Sequence, residues 1–209
     1  MSNRAPQPWL KPGVFVGALV PLIVIAGRGL RGELGANPIS QALNQLGLVA
    51  LIFLVAALVC TPLKTLVGWT WPIRLRRMLG VFAFAYAALH FLTYVVLDQT
   101  FDWRAIIADV TKRRFIYVGF SALMLLIPLA VTSTNAAVKR LGFVRWKRLH
   151  RLAYVVPILG VIHFTWRVKK DVREPVTYAV VLAVLLLIRA ATFLRARRSG
   201  SSSQRSGEG

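Results

Sequence analysis

Six apolar stretches, at 13–27, 46–59, 78–97, 115–131, 152–166 and 176–194, recur along the chain, and none contains an acidic residue. A helix needs about twenty residues to cross the hydrocarbon core, within a range of roughly 17 to 25. The first, second and fifth runs reach that length with flanking residues such as Pro12, Thr61 and His150. The pattern predicts an all-α integral membrane protein, a six-helix transmembrane bundle. Only 16% of the 209 residues are charged against 56% apolar, too little charge to cover a soluble surface of this size.

The formal net charge of +20 therefore falls on few residues. Those Lys and Arg sit between apolar runs, which points to membrane lipid headgroups and the positive-inside rule, and away from nucleic acid. Lys and Arg number 16 on the side shared by the N-terminus, 64–77, 139–151 and the tail. They number 10 on the side of 28–31, 104–114 and 167–173. The bias predicts both termini in the cytoplasm. The six tryptophans fall near run ends, as an interfacial aromatic belt requires. Arg4 and Lys11 precede the first run as in a secretory signal, but no small-residue cleavage pattern follows it, so a retained span is expected. Residues 1–194 read as one transmembrane domain and residues 195–209, rich in Ser, Gly and Arg, as a disordered cytoplasmic tail. The single cysteine, Cys60, excludes an intrachain disulfide.

Gly27, Gly29 and Gly32 match the dinucleotide fingerprint G-x-G-x-x-G. That motif works only between a strand and a helix, where the helix N-terminus faces a pyrophosphate. Here it follows a span, and a flexible interfacial turn is the expectation.

Two of the three histidines, His90 and His163, lie inside apolar runs. An ionisable side chain at membrane depth marks a functional site by default. If the third and fifth spans both run outward, His90 and His163 reach depths that agree to within about 5 Å at 1.5 Å per residue. Haem sits in an apolar slot between helices with an imidazole on each face of its iron. Gly80, Ala83, Ala85, Ala87 and Ala88 would let a flat macrocycle approach the third span. His150 begins the fifth run within a basic stretch, about 20 Å from His163 along a straight helix and roughly 140° around its axis. Pro157 lies between them and can change that angle.

Several segments carry a resemblance: Gly35–Pro38, Thr61–Leu63, Leu75–Gly80 with Ala88–Phe91, Leu129–Asn135, and Trp146–Tyr154. Together they resemble the MsrQ (YedZ) family over nearly the whole chain to Leu194. The resemblance implies a ferric-reductase-like transmembrane fold in the bacterial inner membrane. It also implies a b-type cytochrome subunit of a methionine sulfoxide repair system. Such a subunit takes electrons from the respiratory quinone pool and passes them to MsrP, a periplasmic molybdopterin reductase. FMN is a further cofactor the resemblance implies, and no motif for it stands in the chain.

The wider superfamily stacks two haems, each between a histidine on the third span and one on the fifth. Here Arg76 and Arg77 stand where the inner histidine of the third span would be. His90 and His163 are thus the expected axial ligands of one haem b, and His150 is a candidate ligand of a second. Arg76, Arg77, Arg148 and Arg151 are candidates for haem propionates, a flavin phosphate or lipid headgroups. The rival expectation is a small polytopic transporter or scaffold without haem.

Overall fold

The structure, a computed structural model, describes residues 8–168 and 171–205, with side chains up to Arg195. No strand occurs among the described residues, and six helices are long and apolar enough to cross a membrane. The spans are α1 (Leu10–Leu30), α2 (Pro38–Val67), α3 (Arg76–Thr93), α5 (Arg114–Val131), α8 (Leu152–Arg167) and α9 (Arg173–Arg205). Between them lie the short helices α4 (Trp103–Lys112), α6 (Asn135–Leu141) and α7 (Phe143–Leu149).

The second helix is the pillar of the bundle. Pro38 opens it with a preset φ, and Asn37 caps it by accepting from the Ser40 N–H at 3.1 Å. Starting well before the apolar run at Leu46, it carries the polar Gln41, Asn44 and Gln45 in its first turns. It ends at Gly68, whose φ of +77° favours glycine. Its apolar faces meet α3 and α1 through Ala50, Phe82 and Tyr86, and meet α8 and α9 through Leu51, Val161 and Leu182. On the far side, Ala122, Leu126 and Val156 join α5 to α8.

A hydroxyl is built into the first helix. Pro21 lies inside α1, where it has no N–H for the ladder and crowds the turn before it. Tyr86 of α3 bonds beside it, accepting from the Leu22 N–H at 3.0 Å and donating to the Ala18 carbonyl at 2.7 Å. A buried phenol is thereby satisfied and α1 is fastened to α3.

The structure departs from the sequence reading in three places. Residues 104–111, outside the six apolar runs, lie in α4, whose start Asp102 caps by accepting from the Arg104 and Ala105 N–H groups at 3.0 and 3.1 Å. The basic segment before the fifth span is helical too, as α6 and α7. Past Leu194, where a disordered tail is expected, α9 continues to Arg205. Its continuation through Arg195, Ala196, Arg197 and Arg198 uses residues of high helix propensity. Residues 206–209 of that expected tail lie outside the described residues.

Candidate metal centre

His90 and His163 come together. Their ring centroids stand 6.1 Å apart with the planes at 86°. The matched depth expected from the sequence is realised, with one ring set edge-on to the other.

Each imidazole is fixed by a second helix in the same way. His90 Nδ1 lies 2.9 Å from the Leu43 carbonyl of α2, and His163 Nδ1 lies 2.6 Å from the Phe115 carbonyl of α5. A carbonyl only accepts, so each Nδ1 carries the proton and each Nε2 keeps its lone pair. A glycine one turn beyond each carbonyl makes room for the ring. A Cβ on Gly47 would stand 3.1 Å from His90 Nδ1, and a Cβ on Gly119 would stand 2.6 Å from His163 Nδ1. The arrangement is thus repeated, Leu43 and Gly47 holding one histidine as Phe115 and Gly119 hold the other.

This geometry suits a metal between two imidazoles. A metal–imidazole bond of about 2.0–2.1 Å, plus roughly 1.2 Å from nitrogen to ring centroid, separates two opposed ligand rings by roughly 6.4 Å. The carbonyl bonds fix tautomer and orientation, the usual office of a ligand's outer partner. Arg167 lies one turn after His163 and donates to Asn44 Oδ1, beside the Leu43 carbonyl that holds His90. That bond ties α8 to α2 at the level of the pair. A cavity of about 380 Å³, lined by Arg114, Phe115 and Trp166, opens beside the carbonyl that holds His163.

Sequence reasoning identified the histidines but missed Gly47, Gly119, Asn44 and Arg167. An isolated glycine inside an apolar helix was the available signal for the first two.

His150 is elsewhere. It sits in the break between α7 and α8, at the opposite end of the fifth span from His163. The Thr132 hydroxyl donates to the Pro128 carbonyl at 2.6 Å, so it accepts from His150 Nε2–H at 3.1 Å. The free lone pair of His150 is then on Nδ1. Its ring stacks on Trp146 at 4.1 Å, and the Trp146 indole donates to the Thr132 carbonyl at 2.9 Å. Arg77 lies over Trp146, 5.0 Å from the ring centre, and donates to Asn135 Oδ1 at 2.7 Å. Arg76 donates to the Tyr154 hydroxyl at 3.4 Å. His150, Arg77 and Arg76 therefore gather at one end of the bundle, whereas Arg148 and Arg151 are exposed and stand outside this set of contacts. No cluster of three or more His, Cys, Asp or Glu able to hold a metal occurs among the described residues.

The ferric reductase like transmembrane component family matches residues 41–161, which include His90 and His150 and all but the end of α8. Among curated relatives, a Rhodospirillum rubrum protein is 52% identical over 187 residues, covering 90% of each chain. One from Deinococcus radiodurans is 48% identical over 199 residues, 95% of this chain and 98% of its own. One from Herminiimonas arsenicoxydans is 50% identical over 182 residues, 86% of this chain and 84% of its own. All three are named protein-methionine-sulfoxide reductase heme-binding subunit MsrQ. By the extent of these matches, the chain belongs to the ferric-reductase-like transmembrane family and, within it, to the MsrQ family.

Proposed function

We propose that the chain is the haem b subunit of a protein-methionine-sulfoxide reductase, an electron conduit that leaves substrate chemistry to a partner. The observation that carries the reading is the pair of imidazoles with centroids 6.1 Å apart, each with Nδ1–H on a backbone carbonyl and Nε2 free. Haem would be held by His90 and His163 and would supply a one-electron carrier. The names of the relatives support the cofactor and the system.

In this reading the chain lies in the bacterial inner membrane with both termini in the cytoplasm. It takes electrons from the respiratory quinone pool, or from a cytoplasmic flavin donor. It passes them to a periplasmic molybdopterin reductase of the MsrP type that repairs oxidised periplasmic proteins. The acceptor side is the end where the cavity at Arg114, Phe115 and Trp166 opens next to the pair. The donor side is the end of Arg76, Arg77 and His150. An apolar groove of about 320 Å³ there, lined by Phe15, Met78 and Phe82 with Arg77 and Ser133 at its polar edge, suits a carrier with an apolar tail. His150 Nδ1 can accept from a hydroquinone hydroxyl, and Arg76 and Arg77 bring positive charge for a propionate or a flavin phosphate. His150 remains a candidate ligand for a second haem, through Nδ1 as the ring stands, or through Nε2 once the Thr132 bond breaks. FMN enters through family resemblance alone, and Arg148 and Arg151 are assigned to lipid headgroups.

The partnership is tested by electron transfer. Pre-reduced protein is expected to be reoxidised by a purified MsrP-type subunit, and the chain alone is expected not to reduce methionine sulfoxide. Turnover by the chain alone would overturn the division of labour. Orientation is tested by reporter fusions, those after Leu141 behaving as cytoplasmic and those after Asp109 as periplasmic. The reversed pattern would move the His90–His163 pair to the cytoplasmic side.

A further inference from the structure

Arg189 is the only Lys or Arg inside the six apolar runs. A cation at such a position is costly unless something answers its charge. Its guanidinium lies over the ring of Tyr154, with Cζ 4.6 Å from the centroid. Arg76 approaches the same residue, with Cζ 5.9 Å from that centroid and a bond donated to the hydroxyl at 3.4 Å. Three helices, α3, α8 and α9, thus bring two guanidinium groups to one phenol.

Every polar group in this cluster donates. A guanidinium has no acceptor, and a phenol that accepts from Arg76 has its own O–H left to give. The chain offers little to neutralise it. Glu33, Asp98, Asp102, Asp109 and Asp171 fall in the connections at the opposite ends of the spans, and Glu174 in the first turn of α9 at that same end. The seventh acid, Glu208, lies outside the described residues. The ion pairs among the described residues, Arg31–Glu33 and Arg113–Asp109, involve neither Arg76 nor Arg189. Neither ion pair thus answers the charge of Arg76 or Arg189.

We propose that Arg76, Tyr154 and Arg189 form a phosphate-binding site, filled by the headgroup phosphate of a phospholipid or by the phosphate of a soluble ester. Three donors on three helices suit a group with several acceptor oxygens, and arginine pairs with phosphate in bidentate fashion. Arg189 stands six residues before Arg195, about 9 Å along the helix, and so near the boundary between acyl chains and headgroups. The site does not depend on what His90 and His163 hold, but it shares Arg76 with the donor-side reading above.

The test measures phosphorus retained by the full-length chain after exhaustive delipidation in a phosphate-free detergent. Organic extraction then separates phospholipid from water-soluble phosphate ester. The wild type is expected to keep stoichiometric phosphorus, in the organic phase for a lipid or the aqueous phase for an ester. Arg189→Gln and Arg76→Gln are expected to lose most of it, and Arg140→Gln, an exposed residue at the same end, to keep it. Tyr154→Phe preserves the ring and its stacking and removes only the hydroxyl, so it is expected to fold normally and still lose phosphorus. A wild type without retained phosphorus, or equal retention in all four variants, would overturn the site.

Discussion

His90→Ala and His163→Ala are each expected to purify as folded six-span proteins stripped of most of their haem. Each removes one of the two imidazoles proposed to hold the iron. Loss of a hydrogen-bond partner to a ligand typically costs about 10–100-fold in metal affinity, and loss of the ligand itself costs more. The fold is expected to survive, because the Leu43 and Phe115 carbonyls lie within helices and keep their place in the helical ladder. The Soret absorbance per chain reads the effect, with circular dichroism as the check on folding. If both variants keep a full complement of haem with an unchanged Soret band, the pair is not the ligand set.

Gly119→Ala is expected to act almost as severely without touching a histidine. The added methyl would stand 2.6 Å from His163 Nδ1 and 2.8 Å from Cε1, distances no real Cβ contact tolerates. The ring must leave the Phe115 carbonyl or α5 must shift from α8, and overpacking of this kind typically costs about 1–3 kcal/mol. Gly47→Ala meets His90 at 3.1 and 3.2 Å and is expected to be milder. Gly160→Ala meets only a Leu51 methyl at 3.5 Å, an ordinary contact, and is expected to behave as the wild type. Haem occupancy should thus fall in the order Gly160→Ala, Gly47→Ala, Gly119→Ala. A Gly119→Ala protein with wild-type occupancy and melting temperature would show that the carbonyl contact is dispensable.

The spans were legible because hydrocarbon imposes a simple rule on composition, and all six runs lie within observed helices. The connections were not, because short helices such as α4 rest on capping by Asp102 and on packing of Ile106 rather than on long apolar runs. The pairing of His90 with His163 was legible from depth, which rise per residue fixes. Their partners were not, since a carbonyl acceptor on another helix leaves no mark in the sequence. Gly47 and Gly119 gave only the general sign of a close approach. The axis angle between His150 and His163 fails for a related reason. It assumed a straight helix, and the chain breaks between α7 and α8 at His150 itself.

The central claim is that two imidazoles hold one iron, and the haem content of the wild-type chain, read with a reduced-minus-oxidised difference spectrum, tests it most directly. The account predicts at least one haem b for each chain, and the haem that His90 and His163 would hold is expected to be low-spin. A folded chain purified from haem-replete cells with no Soret absorbance would contradict it, leaving His90 and His163 as hydrogen bonds between helices.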